Sequence, residues 1–231
     1  MLKLFQPFTI TQLITKSYFQ ANWILIPLFG ICLFIVLYVI ATYFYPGGSN
    51  FDSTAVGFNW QHNYWCELMN ERAVNGSINK ARPIAIGAMA VLCISLTSFW
   101  YNFSVIFHSN GWRLIRFAGI ASMVIVVFLL VGPHDIIMSV AGILGIAALS
   151  GSLVVLFKMG RYKAFSLGAF CILLCVLNNY IYYSGYKFYY LPVIQKFTFF
   201  FFLLWFAWVD ILMYRHSFTN PDVVKHQMNT K

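Results

Sequence analysis

The sequence has little charge, and very little of that charge is negative. Only 9% of the 231 residues are charged, six Asp and Glu stand against fifteen Lys and Arg, and 61% of the residues are apolar. Soluble domains usually carry about a quarter charged residues, and disordered chains are poor in apolar ones. Both classes are therefore excluded, and the long apolar runs indicate a single integral membrane domain.

Several chemical motifs are missing as well. The basic residues are scattered between apolar runs, so no nucleic-acid partner is expected. The chain has no HExxH spacing, no phosphate-binding glycine loop and no lysine placed in mid-span for a Schiff base. Four of the five cysteines lie in apolar runs, and Cys66 has no partner in its polar loop, so no structural disulfide is expected. The sequence therefore identifies no cofactor and no catalytic residue, and it leaves metal binding open.

Hydropathy predicts an all-α bundle of six transmembrane helices. The spans are expected at about 23–45, 83–107, 113–131, 135–157, 165–183 and 190–213. Each is long enough to cross hydrocarbon about 30 Å thick at about 1.5 Å per residue. Residues 23–214 then form the membrane domain, residues 1–22 lie on the membrane surface as an interfacial segment, and residues 215–231 form a cytoplasmic tail.

Basic residues predict the orientation of these spans. With both termini in the cytoplasm, ten Lys and Arg lie inside: Lys3, Lys16, Arg113, Arg116, Lys158, Arg161, Lys163, Arg215, Lys225 and Lys231. Five lie outside: Arg72, Lys80, Arg82, Lys187 and Lys196. The positive-inside rule favours this arrangement. Tyrosines clustered between residues 180 and 190 fit an aromatic belt at the outer interface.

The long loop 46–82 is expected on the outer face. It holds three of the six acidic residues. Its segment 59–71 lacks Gly and Pro and is compatible with a helix, on which Asn63, Glu67 and Glu71 would share one face. The link between spans 3 and 4 brings His134 and Asp135 to the same side of the membrane, which predicts a polar cluster over the outer end of the bundle.

The proposed ligand-binding cluster consists of His62, Glu67, Glu71, His134 and Asp135. Three hypotheses stay open for it. The groups are structural, with Glu67 or Glu71 paired to Arg72 or Arg82 and Asp135 at a helix N-terminus. Alternatively, they bind a lipid headgroup or a small polar ligand. In the third hypothesis they perform chemistry, either around a divalent metal or through a Cys66–His134 nucleophile–base pair.

One further carboxylate stands out near the opposite, inner end of the bundle. Asp210 follows a strongly apolar, aromatic run. A carboxylate near hydrocarbon costs a few kcal/mol unless it is paired. We therefore expect an ion pair with Arg113, Arg116 or Arg215, and the alternative is a proton-relay role in transport.

Four short segments carry a family resemblance: Tyr45-Pro46-Gly47-Gly48, the stretch 63–71, Ala81-Arg82-Pro83 and Gly132-Pro133-His134-Asp135. Over roughly residues 23–214 the chain resembles the DRAM/Sfk-type six-span membrane protein family, and more closely its uncharacterised bacterial relatives. Eukaryotic members are implicated in lipid handling, membrane organisation and autophagy. The resemblance thus implies a lipid-linked role in a bacterial cytoplasmic membrane.

The combined prediction is a multi-pass membrane protein that binds or organises lipid, or a small polar ligand, at the outer end of its bundle. The first alternative is a membrane-embedded hydrolase or transferase that uses the same His, Glu and Asp side chains, with or without a metal. A transporter and an accessory subunit of a membrane complex are further alternatives. Membrane lipid is the expected partner, and other membrane subunits are the second.

Overall fold

The structure is a computed structural model that describes residues 22–107, 111–128, 134–185 and 188–219, with the backbone alone for His134. The interfacial segment predicted for residues 1–22, apart from Asn22, lies outside these ranges, as do Gly132-Pro133 and residues 220–231. The described residues contain two isolated β-bridges and no strand. The prediction of an all-helical protein is confirmed for this part of the chain.

Six long helices account for most of the described residues. They are α1 Ile26–Tyr43, α2 Arg82–Ile106, α3 Trp112–Val127, α4 His134–Lys158, α5 Tyr162–Ser184 and α6 Leu191–Thr219. Short 3-10 turns lie at Trp23–Leu25, Trp65–Met69 and Phe188–Tyr190. Pro27 and Pro83 stand in the first turns of α1 and α2. The N–H groups of the first turn have no acceptor within the helix, so proline, which lacks an N–H, is tolerated there.

Five segments are long and apolar enough to cross a membrane: Trp23–Tyr43, Arg82–Ile106, Asp135–Lys158, Tyr162–Ser184 and Phe188–Thr219. A helix satisfies all its backbone groups internally, which a lipid environment requires. The chain is therefore a multi-pass membrane protein. Helix α3 has 16 residues, about 24 Å of helix, and ends close to residues outside the described ranges. The sixth span at 113–131 thus stays a prediction.

The helices pack around a ring in chain order, and α6 closes the ring against α1. Helix α2 also packs against α6 across the ring. Aromatic side chains fill this central contact: the rings of Phe99 and Phe206 lie 4.8 Å apart, and Trp100 and Trp205 are buried. The centre of the bundle is therefore a close-packed core.

Helix α4 packs more closely on α3 than on α5. The hydroxyl of Ser122 on α3 donates a 2.8 Å hydrogen bond to the carbonyl of Ala141 on α4. A Cβ atom on Gly151 would lie 2.7 Å from a side-chain carbon of Ile115, so the absence of a side chain there allows the approach. The looser side of α4 faces α5, where a groove lies.

Residues 44–81, which we call the capping loop, cover the end of the bundle where α1 ends and α2 begins; we call it the capped end. The segment 59–71 does not form the helix that its composition allows, because only Trp65–Met69 forms a 3-10 turn, between the extended residues Tyr64 and Asn70. The carbonyl of the Asn59 side chain accepts the N–H groups of residues 61 and 62. Asparagine side chains here take up backbone donors that a helix would use.

Candidate functional site

Two buried asparagines hold the capping loop together. The amide nitrogen of Asn63 donates to the Gly48 carbonyl at 2.6 Å and to the Glu67 carboxylate at 2.5 Å. The amide nitrogen of Asn79 lies 2.9 to 3.1 Å from three carbonyls, those of Glu67, Leu68 and Asn70. Buried amides with this many partners rigidify a segment that has little regular structure.

Helices α1 and α6 hold the loop on the bundle. The ammonium of Lys196 on α6 donates a 2.5 Å hydrogen bond to the Asn63 carbonyl. The hydroxyl of Tyr38 on α1 donates to the Trp65 carbonyl at 3.1 Å. The ring of Trp65 packs 5.3 Å from that of Phe199 on α6. The capping loop is thus a docked part of the fold on the α1–α2–α6 side.

Glu67, one of the predicted ligand-binding residues, lies inside this loop. Its side chain is buried, and the burial raises the pKa of the carboxyl above its usual value of 4.5. Hydrogen bonds from the Asn63 side chain and from the backbone at Tyr64, together with the charge of Lys196, partly offset that effect. Glu67 is therefore a structural group of the loop.

A pH dependence of loop docking follows from Glu67. The folded loop binds the Glu67 proton more tightly than the unfolded segment does, so docking is strongest below about pH 4.5 and weakens as the pH rises through the raised pKa. We expect Glu67→Gln, which is neutral throughout, to flatten this dependence. Hydrogen exchange over residues 44–81, corrected for intrinsic amide rates, measures the pH dependence of loop docking.

Asp52 contributes to loop docking with the opposite pH dependence, and this contribution changes in a lower pH range. Hydrogen bonds from Thr54 hold the pKa of the Asp52 carboxyl below its usual value of 3.8, so that contribution is lost only as the pH falls through and below this value. An unchanged pH dependence in Glu67→Gln above pH 4.5 would contradict the assignment to Glu67.

His62 and Glu71 have separate partners on the surface of the loop. The Nε2 atom of His62 lies 2.6 Å from the Tyr189 hydroxyl, and its ring packs on Phe51. Glu71 is 81% exposed and forms a 3.4 Å ion pair with Arg82. Exposed pairs of this kind contribute about 0 to 1 kcal/mol. The structural hypothesis therefore describes Glu71 better than a binding role does.

Cys66 lacks the features of an activated nucleophile. Burial, together with the nearby negative charge of Glu67, raises the pKa of the Cys66 thiol to about 11. A thiol needs a lowered pKa to react as a thiolate at neutral pH. Among the described residues, no group of three or more His, Cys, Asp or Glu side chains is placed to hold a metal ion. The side chain of His134, the predicted base, lies outside the described part of the chain.

Asp135 is the predicted site residue that lies beside a groove. It stands in the first turn of α4, and its Oδ2 atom accepts a 3.5 Å hydrogen bond from the Tyr182 hydroxyl of α5. The described members of the predicted cluster thus contact different neighbours, and the structure does not gather them into one site.

The groove between α4 and α5 has a volume of about 680 Å³ and was missed as a site in the sequence. Ile146 lines it from α4, and six residues line it from α5: Cys175, Val176, Asn179, Tyr180, Tyr183 and Ser184. The spacing of 176, 179, 180 and 183 places these residues along one stripe of α5. The tyrosine cluster is the available signal in the sequence, and by itself it indicates only an interfacial belt.

Polarity changes along this groove. Ile146 and Val176 lie near the middle of their helices, and Tyr183 and Ser184 lie at the capped end. Asp135 precedes Ile146 by eleven residues, which puts both on the same face of α4 and about 16 Å apart. The groove therefore runs from an apolar floor to a polar, aromatic rim.

The predicted ion pair of Asp210 with an arginine is wrong. Asp210 is fully buried, and its Oδ2 atom accepts a 3.3 Å hydrogen bond from the N–H of Leu28, in the first turn of α1. Initial N–H groups of a helix lack partners within the helix, so this carboxyl satisfies one of them. Arg113 and Arg116 lie instead over the ring of Trp112.

The resemblance to the DRAM/Sfk-type family stays a prediction, and the candidate site is defined by its geometry. Comparisons with protein-family models, with curated proteins and with solved structures found no match to this chain.

Proposed function

We propose that this protein binds a membrane lipid in the groove between α4 and α5, with the headgroup at the capped end. The observation that carries the proposal is the change from an apolar floor to a polar, aromatic rim along one groove. A phospholipid has the same order of polarity from its acyl chains to its headgroup. Its chains would lie against Ile146 and Val176, and its headgroup near Tyr183 and Ser184.

The position of the groove on the outside of the bundle supports a lipid over a water-soluble ligand. Both helices belong to the segments that are apolar enough to cross a membrane. Val176 is 58% exposed and Tyr183 is 73% exposed, so the groove opens sideways, toward the space that hydrocarbon occupies in a bilayer. Water is absent from that space, and acyl chains are the material available to fill it.

The orientation is part of the proposal. With α3 as a sixth span, both termini lie in the cytoplasm and the capped end lies outside. The described residues carry six Lys and Arg at the uncapped end: Arg113, Arg116, Lys158, Arg161, Lys163 and Arg215. They carry four at the capped end: Arg72, Lys80, Arg82 and Lys196. This excess agrees with the positive-inside rule, and the bound lipid then comes from the outer leaflet.

The enzymatic and transport alternatives have less support. A raised thiol pKa makes Cys66 a poor nucleophile at neutral pH. Buried aromatic side chains occupy the contact between α2 and α6, where a path across the bundle would run. Lipid binding requires only the groove between α4 and α5, so we retain it as the proposed function.

Filling the groove tests the proposal. Val176→Trp places a large ring in the groove, whereas Val124→Trp makes the same change on α3, at a residue that is 51% exposed and does not line the groove. The protein is equilibrated with vesicles of phosphatidylethanolamine, phosphatidylglycerol and diacylglycerol, and retained lipid is counted by native mass spectrometry. We expect roughly tenfold weaker retention, about 1.4 kcal/mol, in Val176→Trp alone. Equal retention by both variants and the unmodified protein would contradict lipid binding in the groove.

A further inference from the structure

We propose that the groove between α4 and α5 prefers a glycerolipid with a free hydroxyl on its glycerol, as in diacylglycerol, and that this hydroxyl donates a hydrogen bond to the side-chain carbonyl of Asn179. The inference rests on the proposed lipid binding and adds the class of lipid. Phospholipids also fit the groove through their acyl chains, but they lack this hydroxyl.

Asn179 supplies an amide group to the wall of the groove, and its side chain is exposed there. Its side-chain nitrogen donates a 2.9 Å hydrogen bond to the carbonyl of Cys175, one turn earlier on the same helix, and lies 3.8 Å from the Cys175 sulfur. The side-chain oxygen accepts no hydrogen bond from any described residue. A hydrogen-bond acceptor is therefore available to a molecule in the groove.

The neighbouring Asn178 shows how α5 satisfies such a side chain elsewhere. Its side-chain nitrogen also donates to the carbonyl four residues earlier, at Leu174, and in addition to the hydroxyl of Thr198 on α6. Polar side chains in membrane-spanning helices commonly form hydrogen bonds of this kind between helices. Asn179 has no such bond to another helix in the described part of the chain, so a bound lipid is the partner that the groove can offer it.

The depth of Asn179 limits which part of a lipid it can contact. Five residues separate it from Ser184, the last residue of α5, and they correspond to about 7.5 Å of helix. The 23 residues of α5 span about 35 Å, slightly more than the hydrocarbon thickness of about 30 Å. Asn179 thus lies just inside the hydrocarbon boundary, at the level of a lipid's glycerol and beneath its headgroup.

A hydrogen-bond donor at this level distinguishes diacylglycerol from phospholipids. All three glycerol oxygens of a diacyl phospholipid are in ester linkages, and any N–H or O–H groups lie in the headgroup, farther from the hydrocarbon. Diacylglycerol keeps one glycerol hydroxyl. The described residues that line the groove are also uncharged, so among them no side chain offers a counter-ion to a phosphate. Both features favour the lipid with the free hydroxyl.

Two lipids that differ in this donor test the inference. Diacylglycerol and its methyl ether at the free hydroxyl, with identical acyl chains, compete for the full-length protein in mixed detergent micelles, and native mass spectrometry measures the bound ratio. We expect a preference of roughly fivefold for diacylglycerol, reduced to near unity in Asn179→Leu. Asn179 is exposed and bonds only within its own helix among the described residues, so this variant is expected to fold.

Asn179→Gln is the matched variant, because it keeps an amide carbonyl in the groove and is expected to retain a preference for diacylglycerol. A bound ratio near unity in the unmodified protein, or a preference that persists in Asn179→Leu, would overturn the assignment of the hydroxyl to Asn179. If Val176→Trp still abolishes retention of both lipids, the groove proposal stands without it. Retention that Val176→Trp does not alter would overturn the groove proposal itself and this inference with it.

Discussion

Replacing Gly48 with alanine is expected to detach the capping loop from the bundle. Gly48 has a φ of +82°, and a Cβ atom there would lie 2.4 Å from the backbone nitrogen of Asn75. Its N–H donates to the Ala55 carbonyl at 2.7 Å, and its carbonyl accepts the bond from Asn63. The backbone of residue 48 is therefore held on several sides, and relief of the clash requires these bonds to break.

Gly57→Ala is the matched control for this variant. Gly57 belongs to the same loop and has a φ of +73°, but a Cβ atom there would meet nothing within 4 Å. The Gly57→Ala variant therefore has only the cost of placing alanine in the left-handed conformation, about 1 to 2 kcal/mol. Labelling of Cys66 with a membrane-impermeant maleimide, located by peptide mass spectrometry, measures loop opening. We expect rapid labelling in Gly48→Ala and slow labelling in Gly57→Ala, and equal rates in the two variants would contradict the described docking.

The second large effect is expected from Gly119→Val in α3. A Cβ atom at Gly119 would lie 2.3 Å from ring carbons of Trp100 on α2, and Trp100 is 1% exposed. The indole packs edge-on against Phe99 and Phe206, so it has no free space into which to move. Overpacking of a close-packed core costs about 1 to 3 kcal/mol and can separate the two helices.

Gly87→Val provides the comparison for Gly119→Val. Gly87 lies on α2 and is exposed, and a Cβ atom there would meet nothing within 4 Å. Thermal unfolding in detergent distinguishes the two variants. The readout is the fraction of protein that stays monodisperse on size-exclusion chromatography after heating. We expect a clear loss of thermal stability for Gly119→Val and little change for Gly87→Val. Similar stability in both variants would mean that α2 and α3 do not approach as closely as described.

Hydropathy was sufficient to predict the helices, because each span needs only a continuous apolar run. The described ends of α2, for example, fall within a residue of the predicted 83–107. The capping loop was not predictable in the same way. Its structure depends on where Asn63 and Asn79 find carbonyl partners, and these partners are up to 15 residues away in the chain.

Charged residues were a poor guide to the site for a physical reason. Glu67 and Asp210 stand out in an apolar sequence, yet each is buried and bonds a neighbouring part of the fold. The groove is lined mainly by ordinary apolar and aromatic residues, and it exists because α4 packs more closely on α3 than on α5. Helix packing of this kind leaves no local pattern in the sequence, so only Asp135 and the tyrosine cluster pointed toward it.

Photocrosslinking tests the central claim, lipid binding between α4 and α5, most directly. Phosphatidylethanolamine with a diazirine in its acyl chain is incorporated into nanodiscs with the protein, and crosslinked residues are located by mass spectrometry. We expect crosslinks concentrated at Ile146, Cys175 and Val176. Crosslinks distributed by exposure alone, as strong at Leu114 and Phe117 of α3, each 69% exposed, would contradict lipid binding in this groove.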